Sequence, residues 1–133
     1  MRFAKWVFLL AGASGVLIIA PLYLESRFFQ DDPPAINRPE FYYGFAGVTL
    51  AWQFMYLLIG TDPVRYRLAM VVASLAKTSF AVAVLVLYFQ QRVAAWWLGA
   101  AAMDSTWVIL FLIAFFLTSK GPTAGSGKGS SGP

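Results

Sequence analysis

The sequence predicts an all-α fold, a polytopic membrane protein built as an antiparallel four-helix transmembrane bundle. Only 12% of the 133 residues are charged and 59% belong to the set AVILMFWYC, whereas soluble domains are roughly 25% charged. Four apolar stretches of 19 to 26 residues are long enough for a helix to cross the ~30 Å hydrocarbon core. Short turns separate the last three stretches, so we expect consecutive helices to run in opposite directions.

The first span, residues 6–24, follows a basic segment of the kind that also precedes a secretory signal sequence. Its apolar run exceeds the roughly 7 to 15 residues of a signal peptide, and residues 18–21 lack the small-x-small pattern of a cleavage site. We therefore expect an uncleaved membrane helix. Cleavage is the alternative, and it would leave three spans with an external N-terminus.

Proline, charge and capping residues set the ends of the other spans. Residues 25–40 carry charges and three prolines, which cannot continue a membrane helix. Residues 61–63 (Thr-Asp-Pro) offer a capping side chain followed by proline at the first helical position, and residues 90–92 (Gln-Gln-Arg) form the last turn. The chain thus divides into a transmembrane domain, 1–120, with spans at about 6–24, 41–60, 66–89 and 93–118, and a flexible Gly/Ser-rich tail, 121–133.

The distribution of Lys and Arg predicts a multi-pass protein with its N- and C-termini in the cytoplasm. Six of these cations lie on the side of the termini and three on the opposite side, which is the positive-inside bias. No basic run is dense enough for nucleic acid, so the net charge of +4 reflects membrane topology. The six are Arg2, Lys5, Arg65, Arg67, Lys120 and Lys128, and the three are Arg27, Arg38 and Arg92.

The composition excludes several kinds of chemistry. The chain has no Cys and no His, so it has no thiolate nucleophile, no His general base and no zinc or copper site of the usual kind. Residues 31–34 (Asp-Asp-Pro-Pro) lack the alternating oxygen ligands and glycine of a calcium loop. We interpret Asp31, Asp32, Glu25 and Glu40 as solvated loop charges, and we expect neither a metal nor a cofactor.

Two ionisable residues, Lys77 and Asp104, lie inside the predicted hydrocarbon region. Lys77 is 12 residues before the end of the third span and Asp104 is 11 residues after the start of the fourth, so antiparallel neighbours bring them level. Each charge alone costs roughly 2.5 to 3.5 kcal/mol at mid-membrane on insertion scales. We therefore predict a buried ion pair between them.

Other polar residues share helical faces with this pair. Ser74 and Thr78 follow the spacing of one face with Lys77, while Thr49, Gln53 and Tyr56 form a polar face on the second helix. Trp107 lies one turn after Asp104 and supplies aromatic surface beside the carboxylate. The sequence predicts a ligand-binding pocket, with no catalytic residue, that converges on Lys77, Asp104, Gln53, Tyr56, Thr49, Ser74, Thr78 and Trp107, with Ser14 from the first helix.

A purely structural role is the alternative for these residues. Polar side chains in membrane bundles commonly join helices, each contributing about 0.6 to 2 kcal/mol, and an ion pair can set register without binding anything. The small residues of Ala11-x-x-x-Gly15 and Gly44-x-x-Gly47 are likewise expected to allow close helix packing.

The chain contains three short motifs at residues 39–45 (PEFYYGF), 51–53 (AWQ) and 62–67 (DPVRYR). Together with Lys77 and Asp104, these motifs resemble those of small bacterial four-helix membrane proteins whose activities are uncharacterised. More distantly, the layout is similar to that of the DoxX-like group. The resemblance covers residues 6–118 and implies a bacterial cytoplasmic (inner) membrane location, while DoxX-like proteins are linked in general to membrane redox assemblies. Without Cys or His, this chain departs from that pattern in having no obvious redox ligands.

Three functions remain open. The first is a non-catalytic membrane protein that binds a membrane lipid, another lipophilic small molecule or a partner membrane protein through the pocket around Lys77 and Asp104. The second is a small proton-coupled transporter that titrates one of these groups, which would require a homodimer because four spans are few. The third is a membrane-embedded isomerase or hydrolase with Asp104 as acid or base. We favour the first, since a carboxylate held ionised by lysine is a poor general acid.

Overall fold

The structure, a computed structural model, describes residues 2–24 and 38–118, and within these ranges it contains helices and no β-strand. Four helical segments of 21 to 23 residues are each long and apolar enough to cross a membrane. The all-α four-helix fold is therefore confirmed. Helix α1 spans Arg2–Ile19 and continues as a 3₁₀ helix, Ala20–Tyr23; α2 spans Pro39–Thr61, α3 Arg67–Phe89 and α4 Trp97–Leu117.

The helices form two hairpins, α1–α2 and α3–α4, that pack side by side. The most extensive contacts lie within each hairpin, and contacts of α1 with α4 and of α2 with α3 close the ring. In the described ranges the backbones of the diagonal pairs stay apart, and α2 meets α4 through the rings of Tyr56 and Phe111 at the centre of the bundle. The chain therefore runs up, down, up and down around a shared core, which puts the starts of α1 and α3 at the same end as the last residues of α2 and α4.

The core is a seam of buried residues that recur at alternating steps of three and four. This is the heptad spacing that keeps one stripe of each helix facing its neighbours. Mostly small residues and rings fill the seam, so the helices pack closely around a few large side chains. The buried residues with this spacing are Ala4, Phe8 and Ala11 from α1, Ala46, Gln53, Tyr56 and Gly60 from α2, Met70, Ser74, Ala81 and Val84 from α3, and Ala101, Asp104, Phe111 and Ala114 from α4; Val7, Gly12, Ile59 and Ala73 are buried beside them.

Helices α1 and α2 approach closely where α1 carries glycine. A Cβ at Gly12 would lie 2.7 Å from Cγ of Leu57 and 2.8 Å from the carbonyl oxygen of Gln53. A Cβ at Gly15 would overlap the side-chain amide of Gln53. The predicted close-packing role of Gly15 is confirmed, because the amide occupies the space that any larger residue would fill.

The remaining small residues divide into packed and open positions. A Cβ at Gly60 would lie 2.8 Å from the side chain of Leu9, so α2 also has a close-packed glycine that the sequence did not single out. Gly44 has open space around it, and its predicted packing role within the bundle is wrong because it lies on the exposed side of α2. Gly47 faces only the Tyr23 hydroxyl.

Asp62 holds the turn between α2 and α3, but the predicted helix start with Pro63 at the first position is wrong, because the residue before α3 is Tyr66 and no side chain caps that helix. Oδ1 of Asp62 accepts a hydrogen bond from the backbone N–H of Arg65 at 3.2 Å, and its carbonyl accepts one from the N–H of Tyr66 at 3.1 Å. Residues 63–66 complete this turn, so α3 begins at Arg67.

The turn between α3 and α4 is longer than the expected three residues. Gln91 has a φ of 58°, and the backbone N–H of Arg92 donates back to the carbonyl of Leu87 at 2.9 Å. This is the Schellman arrangement that commonly ends helices. Residues 92–96 then complete the change of direction, so α4 begins at Trp97, four residues later than expected.

The outer surface of the bundle is apolar along its length. Leu17, Leu68 and Phe89 each expose more than three quarters of their surface, and many other large apolar residues are half exposed. Apolar patches of this extent are rare on soluble monomers and mark contact with lipid or partners. The predicted residues Glu25, Arg27, Asp31, Asp32, Lys120 and Lys128 and the tail, 121–133, lie outside the described ranges.

Candidate intramembrane site

Lys77 and Asp104 form the predicted ion pair. Nζ of Lys77 donates to Oδ1 of Asp104 at 2.6 Å, and the two side chains are only 13% and 11% exposed. Lys77 lies thirteen residues before Gln90, and Asp104 thirteen residues after Gln91. This symmetry about the turn makes the two residues level in an antiparallel hairpin, about 10 to 20 Å from the helix ends.

The pair uses only part of its hydrogen-bonding capacity. An ammonium has three donors and a carboxylate accepts at both oxygens. Across the described ranges, Lys77 donates only to Oδ1, and Oδ2 of Asp104 accepts no hydrogen bond. Neither side chain is completely buried. The site therefore retains donors and an acceptor for a further polar group.

Tyr56 joins the pair to the aromatic core. Its ring lies 5.8 Å from Nζ of Lys77, a cation–π distance, and the side chain is almost fully buried. The ring contacts Phe111 at 5.2 Å, and Phe111 stacks on Phe8 at 4.2 Å. Half-buried Trp107, predicted to supply aromatic surface beside Asp104, packs against Phe111 at 6.2 Å. Lys77 thus touches α4 through the ion pair and α2 through Tyr56.

Gln53 and Thr49 lie on the predicted polar face of α2, but the Gln53 side chain is directed at α1. Nε2 of Gln53 donates to the carbonyl of Thr49 at 3.0 Å, and its Oε1 lies against Gly15. This Oε1 is buried and has no hydrogen-bond partner among the residues that the structure describes. Ser14 donates to the carbonyl of Ala11, within α1. The structure therefore separates these residues from the ion pair, since no contact joins Gln53 to Lys77 in the described ranges.

The hydroxyl groups of Ser74 and Thr78 form their hydrogen bonds within α3. Ser74 is buried and donates to the carbonyl of Met70 at 2.9 Å, and Thr78 is exposed and donates to the carbonyl of Ser74 at 2.8 Å. Such back-bonding is usual for hydroxyls in membrane helices. The Ser and Thr hydroxyls with an observed bond in the described helices all donate in this way, so they do not join helices, whereas the Tyr42 hydroxyl of α2 donates to the carbonyl of Leu22 at 2.9 Å. These Ser and Thr residues are Ser14, Thr61, Ser74, Thr78, Ser79, Ser105, Thr106 and Thr118.

A shallow groove of about 260 Å³ lies on the outer side of the α3–α4 hairpin, and Lys77 and Asp104 themselves do not line it. Its two hydroxyl groups belong to Thr78 and Ser105, which follow Lys77 and Asp104 directly in the sequence. Apolar side chains form its walls. Ser105 was not among the predicted site residues, although it follows the predicted Asp104 directly in the sequence. The walls are Ala81, Val82, Leu85, Val108 and Ile109.

Arg67 is a second polar link within the α3–α4 hairpin. Its Nε donates to the carbonyl of Phe115 at 3.2 Å, and its guanidinium lies 3.9 Å from the centre of the Phe115 ring. A cation at the end of α4 also suits the negative end of that helix. The sequence did not predict this contact, although the antiparallel register that pairs Lys77 with Asp104 also brings Arg67 to Phe115.

Metal binding receives no support from the described residues. In those ranges there is no group of three or more His, Cys, Asp or Glu side chains that could hold a metal ion. Glu40, the described member of the loop acids, forms an exposed ion pair with Arg38 at 3.1 Å.

Comparisons of the chain with protein-family models, with curated proteins and with solved structures gave no match.

Proposed function

We propose that this protein is a multi-pass membrane protein that binds a lipophilic molecule carrying a polar group at the Lys77–Asp104 pair. The supporting observation is the unused hydrogen-bonding capacity of a mostly buried ion pair at mid-helix. Polar groups inside a bilayer have few partners, so a ligand that brings both a donor and an acceptor gains binding energy there.

The surroundings of the pair suit a small amphipathic ligand. Tyr56 presents a ring to Lys77, and the groove beside Thr78 and Ser105 offers apolar walls to a hydrocarbon body. Small-molecule sites typically combine apolar walls with a few placed polar groups. The two charges neutralise each other, which favours binding over acid–base catalysis.

The proposed location is a bacterial inner membrane with both termini in the cytoplasm. The described cations Arg2, Lys5, Arg65 and Arg67 lie at the end of the bundle where α1 and α3 begin, and this bias favours a cytoplasmic position for that end. The distant similarity to the DoxX-like group is part of this proposal as well.

The binding proposal is tested with a variant that removes both charges together. The protein and its Lys77→Met/Asp104→Leu double variant would be purified in the same mild detergent, and their co-purified lipophilic molecules identified by solvent extraction and native mass spectrometry. We expect a molecule near one equivalent in the parent protein and its loss from the double variant. Circular dichroism would verify that the variant retains its helices.

Ser79→Ala provides the matched control, because Ser79 is an exposed hydroxyl on α3 that bonds only to its own helix. It should retain the molecule. Equal amounts of the molecule in the parent protein and in a folded double variant would reject a binding role for the pair and leave it a structural one.

For a proton-coupled transporter, the second function considered above, the expected result is pH-driven flux in proteoliposomes that Asp104→Asn abolishes.

A further inference from the structure

The end of the bundle where α1 and α3 begin carries a concentration of positive charge, and we call it the basic end. Its described charged residues are Arg2, Lys5, Asp62, Arg65 and Arg67, a net charge of +3. Their common position follows from the packing of Leu9 against Gly60: Lys5 lies one turn before Leu9, and Arg65 five residues after Gly60. These cations therefore belong to one rim formed by α1 and the α2–α3 turn.

The cations of the basic end are not neutralised by the described protein. Within residues 2–24 and 38–118, Arg2, Lys5, Arg65 and Arg67 form no ion pair. Asp62 is the single acid at this end of the described chain, and its Oδ1 accepts the backbone N–H of Arg65. The opposite end differs, because Glu40 pairs with Arg38 there.

The rim combines these charges with apolar and aromatic side chains at the same level. Arg2, Lys5 and Arg65 are exposed, and the Arg65 guanidinium lies 5.5 Å from the centre of the Tyr66 ring. Trp6 and Leu68 are largely exposed beside them. The cations thus lie where the apolar surface of the bundle ends, at the depth of lipid headgroups.

Two helix N-termini add to the positive potential of the same rim. Helices α1 and α3 both begin there, and neither has an acidic residue in its first turn. The N-terminal end of a helix dipole favours a nearby anion, above all a phosphate. The basic end therefore complements an anionic group attached to a hydrocarbon body.

We propose that the basic end binds the headgroups of anionic phospholipids, with Lys5 and Arg65 as the principal contacts. Each Lys or Arg next to the membrane surface contributes about 1 kcal/mol to the binding of anionic lipid, which corresponds to about a fivefold increase in affinity. The anionic lipid lies against the α1 side of the rim and the α2–α3 turn, with its acyl chains along the exposed apolar surface. This surface is separate from the Lys77–Asp104 site.

The test measures lipid affinity of the purified full chain by native mass spectrometry, with phosphatidylglycerol and phosphatidylcholine of the same acyl composition as probes. The parent protein should bind phosphatidylglycerol more tightly, and added salt should reduce the difference. Lys5→Gln and Arg65→Gln should each lower phosphatidylglycerol affinity about fivefold and leave phosphatidylcholine affinity unchanged. Both residues are exposed, so both variants should fold.

The matched control is Arg92→Gln, which removes a cation at the opposite end and should leave the lipid preference intact. The Lys77→Met/Asp104→Leu variant should also keep it, so this test and that of the ligand site have separate outcomes. Equal affinities for the two lipids, or an equal loss in Arg92→Gln, would overturn the proposal. A basic end that bound an acidic protein segment instead would show no preference between the lipids.

Discussion

Lys77 is the residue on which two helix contacts depend. It neutralises Asp104 of α4 and faces the ring of Tyr56 on α2, so it links the α3–α4 hairpin to its neighbour. Breaking a mostly buried pair by removing one partner leaves an uncompensated charge, whereas replacing both partners with apolar residues of similar volume is often neutral.

We expect the single changes Lys77→Met and Asp104→Leu each to destabilise the bundle by about 3 to 5 kcal/mol. The double change should cost much less than their sum, because no unpaired charge remains. Reversible unfolding in mixed micelles would measure all three variants against the parent protein. Additive losses would show that the two side chains do not interact energetically.

The sequence was sufficient to predict this pair but not the partners of the neighbouring polar residues. Lys77 and Asp104 are equidistant from a short turn, so their meeting follows from the antiparallel connection alone. Gln53 and Tyr56 are three residues apart on the same stripe, and yet Gln53 faces Gly15 of α1 while Tyr56 faces Lys77 of α3. The rotation of α2 about its own axis decides which neighbouring helix each of these side chains contacts. The spacing of polar residues along the α2 sequence does not determine that rotation.

At the scale of elements, the ends of the helices depend on particular backbone positions. Asp62 closes the turn before α3 with a side-chain hydrogen bond, which its residue type predicts. The end of α3 depends instead on Gln91, a residue with a side chain in the left-handed region that usually holds glycine. The sequence contains no glycine near residue 91 that would indicate this helix-ending turn. The length of the turn, and with it the later start of α4, could therefore not be predicted.

Gln91→Gly should therefore stabilise the protein by about 0.5 to 1 kcal/mol, because glycine adopts a positive φ without the steric cost of a Cβ. Gln90→Gly is the matched control, since Gln90 has a φ of −79°. That change should be destabilising or neutral. Thermal unfolding of both variants in detergent would provide the comparison, and a loss of stability in Gln91→Gly would contradict the interpretation of the turn.

At the scale of the whole molecule, the composition and the four long apolar stretches were enough to predict the bundle. They did not specify that the two hairpins pack side by side in a closed ring, since the apolar faces are too uniform to select a partner. The close packing at Gly12, Gly15 and Gly60 distinguishes the α1–α2 contact, and Gly44 shows that a similar sequence pattern also occurs on an outward face.

The topology is directly testable because the chain has no cysteine. Single cysteines would be introduced at exposed Thr61, at the basic end, and at exposed Ala94, in the α3–α4 turn. In intact bacterial cells, a membrane-impermeant maleimide should label Ala94→Cys, and Thr61→Cys only after the membrane is opened. Leu75→Cys, on the outer face of mid-α3, should be labelled in neither case, and the reverse pattern at Thr61 and Ala94 would invert the proposed orientation.

The division into hairpins has a consequence for biosynthesis. Residues 6–24 and 41–61 contain no charged side chain, so α1 and α2 can enter the bilayer one after the other. Helix α3 emerges from the ribosome with an ammonium that has no counter-ion until α4 has been made. Because an isolated charge at that depth opposes insertion, we expect α3 and α4 to enter the membrane together, with the ion pair formed as they do so.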